Sequence, residues 1–283
     1  DAVAILNEEK EERWGLPGKV LKICTFKVGP QARGVKRGEL MLWSVFSHAR
    51  HNDYDSTFVE VMLDELELIG ILESFGFNLL SVQTKREGEL AYGKQFAPPA
   101  STEGMSALDF NITFGPGALK PSRMFIVPIL PAWHKNLFPV ADDDPQLSLI
   151  GGMTDQGNAI RKAYVCRSKS KQLRPGDTIL FLRTRENQMV NVIGVVEETI
   201  RSSDPGEILG FTGRRTVYTP GEIDAMCNAA EVLAIRFRLD RVLDTPLTAN
   251  DLIQGGAMAR SPMSVQQVKD QGAVAWLRNL LTA

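Results

Sequence analysis

The stretch Val28 to Leu42 (VGPQARGVKRGELML) joins a strand-like run to a helix-like run through a turn containing glycine. A helix start reached in this way presents unpaired backbone N–H groups and the positive end of a helix dipole, a physical site for an anion such as a pyrophosphate. A second concentration of chemistry lies between Gly157 and Arg185, where Arg161, Lys162, Arg167, Lys169, Lys171, Arg174, Arg183 and Arg185 stand against the lone acid Asp177. Such a strip is either a solvated face or the footprint of a polyanion. Further on, GRRTVYTPGEI sets Arg214 and Arg215 close to Tyr218. It is either a solvated loop or the mixture of cations and rings that single-strand binders use. His48 and His51 are three apart beside Asp53 and Asp55, but nothing supplies a further ligand, and no metal is expected. His134, between Trp133 and Phe138, reads as a loop anchor. The chain carries no Gly-x-Ser-x-Gly elbow, Walker loop or dinucleotide fingerprint, which argues against hydrolase, NTPase and dehydrogenase chemistry.

The elements that must position these groups follow from periodicity. Val20 to Val28 alternates and is rich in β-branched residues, so it predicts a strand ending at Gly29-Pro30. Gly38 to Arg50 predicts a helix burying Leu40 and Trp43, and Ser56 to Met62 predicts a second strand. Asp64 to Phe75 predicts a helix capped by Asp64 and Glu67 and stopped by Gly76. Strands at Phe77 to Lys85 and Glu89 to Phe96 complete a β-α-β-α-β-β order, and Ala2 to Leu6 could add one strand before it. Ala97 to Gly117 is rich in Pro, Gly and Ser and reads as a linker. Beyond it we expect a strand at Met124 to Leu130, an irregular loop over Pro131 to Pro145 and a helix from about Asn158 to Cys166. Strands at Thr178 to Arg183, Val190 to Glu198 and Glu231 to Leu239, then a closing helix pair over Ser264 to Leu281, finish the chain.

Composition agrees with two cores: 283 residues, 43% hydrophobic and 23% charged, with no apolar run long enough to span a membrane and no secretory signal readable in residues 1–13. Three scattered cysteines, Cys24, Cys166 and Cys227, suggest buried thiols rather than a disulfide framework or a zinc site, and a cytoplasmic location is expected. The net charge of −2 hides an asymmetry, because residues 151–283 hold 17 Lys and Arg against 14 Asp and Glu, a net +3 that leaves −5 for the rest.

The turn at Arg33, Lys36 and Gly38 resembles the strand-to-helix turn of GNAT-type N-acetyltransferases, with Lys36 where that family usually has Gly. LIGILESFGFNLLSV followed by GELAYGKQF resembles the same family's last helix and closing strands. The resemblance covers about residues 18–96. It implies acetyl-CoA as co-substrate, held by Phe26, Val28, Arg33, Gly34, Val35, Lys36, Arg37 and Gly38, with Glu60 as the candidate base. Leu72 occupies the place where the family often has a proton-donating Tyr. The family's first strands and helices have no counterpart before residue 18, so a longer native N-terminus is expected to supply them.

In the second half, Gly157-Asn158 through Lys162, then RPGDTILFLRT and VIGVVEE, resemble the EVE and ASCH branches of the PUA superfamily. That resemblance implies a small β-barrel with flanking helices and a pocket for one nucleobase. Its contacts would be Asn158, Arg161, Tyr164 and Arg183, aided by Arg214 and Arg215. The expected fold is therefore α+β: a mixed-sheet GNAT-like domain over residues 1–97, a linker over 98–120, and a PUA-like barrel over 121–283. The expected function is acetyl transfer on or near nucleic acid, the alternative being a non-catalytic nucleic-acid reader with a degenerate acetyltransferase fold.

Overall fold

The computed structural model describes residues 2–30, 34–141, 157, 159–185 and 187–282. The chain divides into two compact units, Asp1–Ala118 and Leu119–Ala283, and each builds its own mixed sheet among helices. Among the described residues no helix is long and apolar enough to cross a membrane.

The first unit places β1 (Ala2–Glu9), β2 (Val20–Val28), β3 (Ser56–Met62), β5 (Glu89–Gln95) and β4 (Asn78–Ser81) side by side in that order. β2 and β3 run parallel because α1 (Arg37–His51) returns the chain between them, and every other pair is antiparallel. The helix buries Met41, Leu42, Val45, Phe46 and Ala49 rather than the expected Leu40 and Trp43, which stay half-exposed. The buried stripe is the one that carries Phe46 onto Phe77 and Phe96, with ring centroids 6.2 and 5.9 Å away. α2 (Leu66–Ser74) starts later than the sequence suggests, on Glu65, with no side-chain cap. Asp64 cannot serve, because its carbonyl already accepts from the Leu66 amide in a tight turn. Gly76 does terminate the helix at φ 81°, and a Cβ there would lie 2.1 Å from the Ile112 carbonyl oxygen.

That collision partner belongs to a segment the sequence presents as a linker. Residues 107–114 instead form α3 (Ala107–Phe114), capped by the Ser106 hydroxyl on the Asp109 amide and buried through Phe110 and Phe114. Lys94, 1% exposed, donates to the carbonyls of Ile112 and Thr113 at 2.9 and 2.7 Å, so a cation sits at the negative end of this helix. Short length and a Pro/Gly-rich surround conceal α3 from periodicity.

The second unit's sheet runs β11 (Gln266–Gln267), β6 (Met124–Ile129), β8 (Thr178–Arg183), β9 (Met189–Ser202), β10 (Val232–Thr248), β7 (Arg161–Cys166). Only β6 and β8 are parallel. Phe138, Phe181 and Phe237 interlock over this sheet. On a second patch, Leu277 and Leu281 of α8 (Gln271–Thr282) pack with Ile126, Leu180 and Ile193. Within the stretch expected to be a helix, residues 161–166 form a strand, β7, paired with β10 along its whole length, because Tyr164, Val165 and Cys166 suit a pleated surface and six residues make too short a helix to stand alone. The expected loop over 131–145 opens with α4 (Pro131–Leu137), with Pro131 at its first position, and the expected closing helix pair is one strand and one helix.

The expected barrel does not close among the described residues. β6 gives its outer edge first to β11, with Gln266 opposite Ile126, and then reaches Pro128, which has no N–H for a ladder. There a side chain replaces backbone pairing: the Tyr164 hydroxyl of β7 donates to the Pro128 carbonyl at 3.1 Å. A seam between β6 and β7 is the result.

Candidate functional site

In the first unit, the ladder between β2 and β3 runs only from Val20/Ser56 to Ile23/Val59. Beyond that rung each strand stays paired on its other side, Cys24 to Val28 with β1 apart from a bulge, and Glu60 to Met62 with β5. The two central strands therefore share no rung beyond Ile23/Val59, and Phe26 and Val28 lie on the stretch of β2 past it. Gly34 (φ 79°) and Lys36 (φ 59°) follow, and Lys36 is the N-cap of α1 without a side-chain cap bond. The position where the resemblance calls for Gly thus has a left-handed backbone. Gly38 has room around it, the nearest atoms to a Cβ being Ile71 Cδ1 at 3.8 Å and Val28 Cγ2 at 4.0 Å. Arg33 lies outside the described residues.

Glu60 is the first residue past the last shared rung. Its carboxylate is engaged by Lys22 at 2.5 Å and Arg13 at 3.7 Å, so service as a base would require it to leave two cations. Leu72 is 1% exposed, a core residue of α2. His48 meets Asn52 and the Tyr54 ring, 6.0 Å away, His51 meets the Ser47 carbonyl, and among the described residues no three His, Cys, Asp or Glu side chains gather to hold a metal.

In the second unit, the seam opens into a cavity of about 480 Å³, within the range of about 300–1,000 Å³ usual for small-molecule sites. Pro128 and Leu130 form one wall, Tyr164, Cys166 and Arg167 another, and Gln188 with Ser261 to Val265 a third. Tyr164 is 4% exposed, and its ring lies 6.1 Å from that of Tyr218, which in turn lies 4.9 Å from Trp133. Burial pushes the Tyr164 hydroxyl well above its ordinary range, Tyr218 up to about 12 and the Cys166 thiol up to about 11. At neutral pH the cavity holds one neutral phenol, Tyr164, and a neutral thiol, so Cys166 is not a thiolate nucleophile.

The segment Ser261 to Val265 also forms a wall of a broader groove of about 1070 Å³. Exposed Lys169, Lys171, Arg260 and Lys269 border that groove, where the lone acid, Asp270, accepts from the Ala273 amide at the start of α8. Cations at a groove that shares a wall with an apolar, aromatic cavity can hold a flat ring and an attached anion together.

Of the six residues expected at a nucleic-acid site, Asn158 lies outside the described residues, and among the other five Tyr164 alone lines the cavity. Arg161 is turned onto Glu197 at 2.8 Å, where Arg238 arrives at the same distance from the other side. Arg215 donates to the Arg161 carbonyl at 2.6 Å, and Arg183 lies against Asn187 and Met189. Arg214 sits exposed on a single helical turn after α5 (Pro205–Thr212), away from both cavity and groove. Sequence reasoning missed Gln188, Ser261 and Arg260. The basic strip contained Lys169 and Lys171, but only the fold separates them from neighbours that pair internally.

No family model matches this chain, and no curated protein matches it. Solved structures do resemble it: a serine-to-alanine variant of an ASCH protein from Zymomonas mobilis (13% identity, TM-score 0.43, 57% of this chain and 99% of that one). The unsubstituted ASCH from Zymomonas mobilis gives 13% identity, TM-score 0.41, and coverage of 56% and 94%. Rpa0253 from Rhodopseudomonas palustris gives 16% identity, TM-score 0.30, and coverage of 56% and 95%.

Proposed function

We propose that the second unit binds single-stranded nucleic acid, one base entering the cavity beside Tyr164 while the backbone lies along the groove of Lys169, Lys171, Arg260 and Lys269. The observation that carries this reading is the shared wall, Ser261 to Val265, which joins an apolar ring-sized cavity to a cationic groove. A stacked base gains from aromatic contact, and its phosphates gain from the cations. A neutral phenol and a neutral thiol favour binding over covalent chemistry, so this unit acts as a reader. Fluorescence anisotropy of the whole chain with labelled oligonucleotides tests it: binding should weaken as salt rises and fall when Lys169 and Lys171 are reversed to Glu. A titration insensitive to salt would overturn the proposal.

A second reading, for the first unit, is favoured by the early end of the ladder between β2 and β3. In this reading it accepts acetyl-CoA, the pantetheine running between the two strands and the pyrophosphate resting on the amides of residues 34–39. Supporting it are the ladder that ends at Ile23/Val59 and the left-handed backbone at Lys36. With such a ligand the protein would be a GNAT-like acetyltransferase whose acceptor is presented by the nucleic-acid unit, with Glu60 released from Lys22 to act as base. Without turnover it would be a reader that senses acyl-CoA. Calorimetry with CoA tests the site, and Gly38→Asp should weaken binding through charge alone, since the position has space for a side chain. Absence of CoA binding by the unsubstituted chain would remove this reading.

A further inference from the structure

The cavity between β6 and β7 contains a polar group whose hydrogen-bonding capacity is only half used. The Tyr164 and Thr184 hydroxyls both donate to carbonyls of β6, those of Pro128 and Ile129 at 3.1 Å, and so have no hydrogen left for a ligand. Arg167 is exposed at the rim, within 3.5 Å of the Ala225 carbonyl. Gln188 differs. The Ser261 hydroxyl donates to its Oε1, and its own carbonyl accepts from the Ala249 amide at 2.9 Å, so both the backbone and the head of this residue are anchored. Its Nε2 donates to nothing among the described residues, in a half-buried side chain that lines the cavity. A fixed amide of this kind costs little further ordering when a ligand arrives, and the lack of a partner for its –NH2 rewards a ligand that supplies an acceptor.

Resting on the nucleic-acid reading above, we propose that Gln188, oriented by Ser261, reads the edge of the base in the cavity by donating from Nε2 to a keto oxygen. The preferred bases are then the keto-bearing ones, with adenine disfavoured because its exocyclic group is an amino donor and the Gln188 Oε1 that would accept from it is turned to Ser261. Ser261 is a positioning residue. It holds the amide so that its nitrogen rather than its oxygen faces the ligand, and it stands at the wall shared with the cationic groove, where base and backbone contacts meet.

The test compares oligouridylate with oligoadenylate of equal length by anisotropy on the whole chain, at one low salt concentration. The unsubstituted protein should favour oligouridylate by about tenfold, the size of one base-edge hydrogen bond. Gln188→Glu, nearly isosteric but without the –NH2, should abolish that preference, read as the ratio of the two affinities, because the added carboxylate opposes both polyanions alike and cancels in the ratio. Ser261→Ala should reduce the preference partly, and thermal melting of both variants should match the parent. A Gln188→Glu protein that keeps the full preference overturns the assignment of Gln188 while leaving nucleic-acid binding intact. A parent that binds neither oligonucleotide overturns the underlying reading instead. Should Gln188→Glu fail to fold, Gln188→Leu, which also removes the donor, takes its place under the same criteria.

Discussion

At Glu197 two guanidiniums meet one carboxylate in a nearly dry position, its side chain only 11% exposed. Burial alone would push this carboxyl up, but Arg238 and Arg161 outweigh it and hold the group below its ordinary range. A carboxyl depressed on folding contributes stability that is complete above the ordinary carboxylate range and is lost as pH falls through the folded value. Glu197→Gln should therefore cost about 2–3 kcal/mol at neutral pH, because the buried Arg238 and the half-exposed Arg161 lose the charge of the carboxylate they share, and the difference in Tm between parent and variant should shrink as the pH is lowered into the acid range. A gap independent of pH would show that the ion pairs contribute nothing. The cysteines allow a separate check: Cys24 is exposed, whereas burial raises the Cys166 and Cys227 thiols, so Ellman's reagent on the native protein should find one fast thiol, at Cys24. These residues also mark what the sequence discloses. The run of cations from Arg161 to Arg185 is legible as a strip, but Glu197 lies 36 residues from Arg161 in the chain. Which arginines are neutralised internally is decided by strand pairing that no local spacing encodes.

Among the elements, strands with a continuous apolar run are legible almost to the residue, as at Thr178–Arg183, while pieces short enough to be decided by tertiary contact are not. Six residues of β7 read as helix until β10 supplies the ladder, and α3 is hidden in a stretch whose composition says linker. The glycine in VIGVVEE is legible as a marker, and its reason is now physical: a Cβ at Gly194 would lie 2.8 Å from the Phe237 ring and 3.0 Å from the Arg238 carbonyl oxygen of the paired strand β10. Gly194→Ala should destabilise by about 2 kcal/mol, measured by urea denaturation, because a backbone atom on the paired strand cannot step aside. At the start of α1 the reverse applies. Lys36 occupies a left-handed backbone that costs an L-residue about 1 kcal/mol, so Lys36→Gly should raise stability by up to about 1 kcal/mol despite the greater freedom of glycine when unfolded. A loss of stability would mean that the Lys36 contact with Glu39, at 4.0 Å, matters more than the backbone.

For the whole molecule, a net charge of −2 argues weakly against a polyanionic ligand, yet the charge is not spread evenly. Leu119–Ala283 holds 20 Lys and Arg against 17 Asp and Glu, a net +3 and a modest excess. The fold sharpens it by tying Arg161, Arg238, Arg201, Arg236 and Arg123 to acids and leaving Lys169, Lys171, Arg260 and Lys269 around one groove. Affinity for a single strand should then carry a countable salt dependence, since each neutralised phosphate contributes about −0.7 to the slope of log K against log salt. Four groove cations predict a slope of about −2.8 for the intact chain. Lys171→Ala or Arg260→Ala should flatten it by about 0.7 each, weakening all sequences alike, whereas Arg214→Ala, outside the groove, should leave it unchanged. The reverse pattern, with Arg214 and Arg215 setting the slope and the groove lysines silent, would move the nucleic-acid path to the helical turn at Gly213–Arg215 and detach it from the cavity that Tyr164 and Gln188 line.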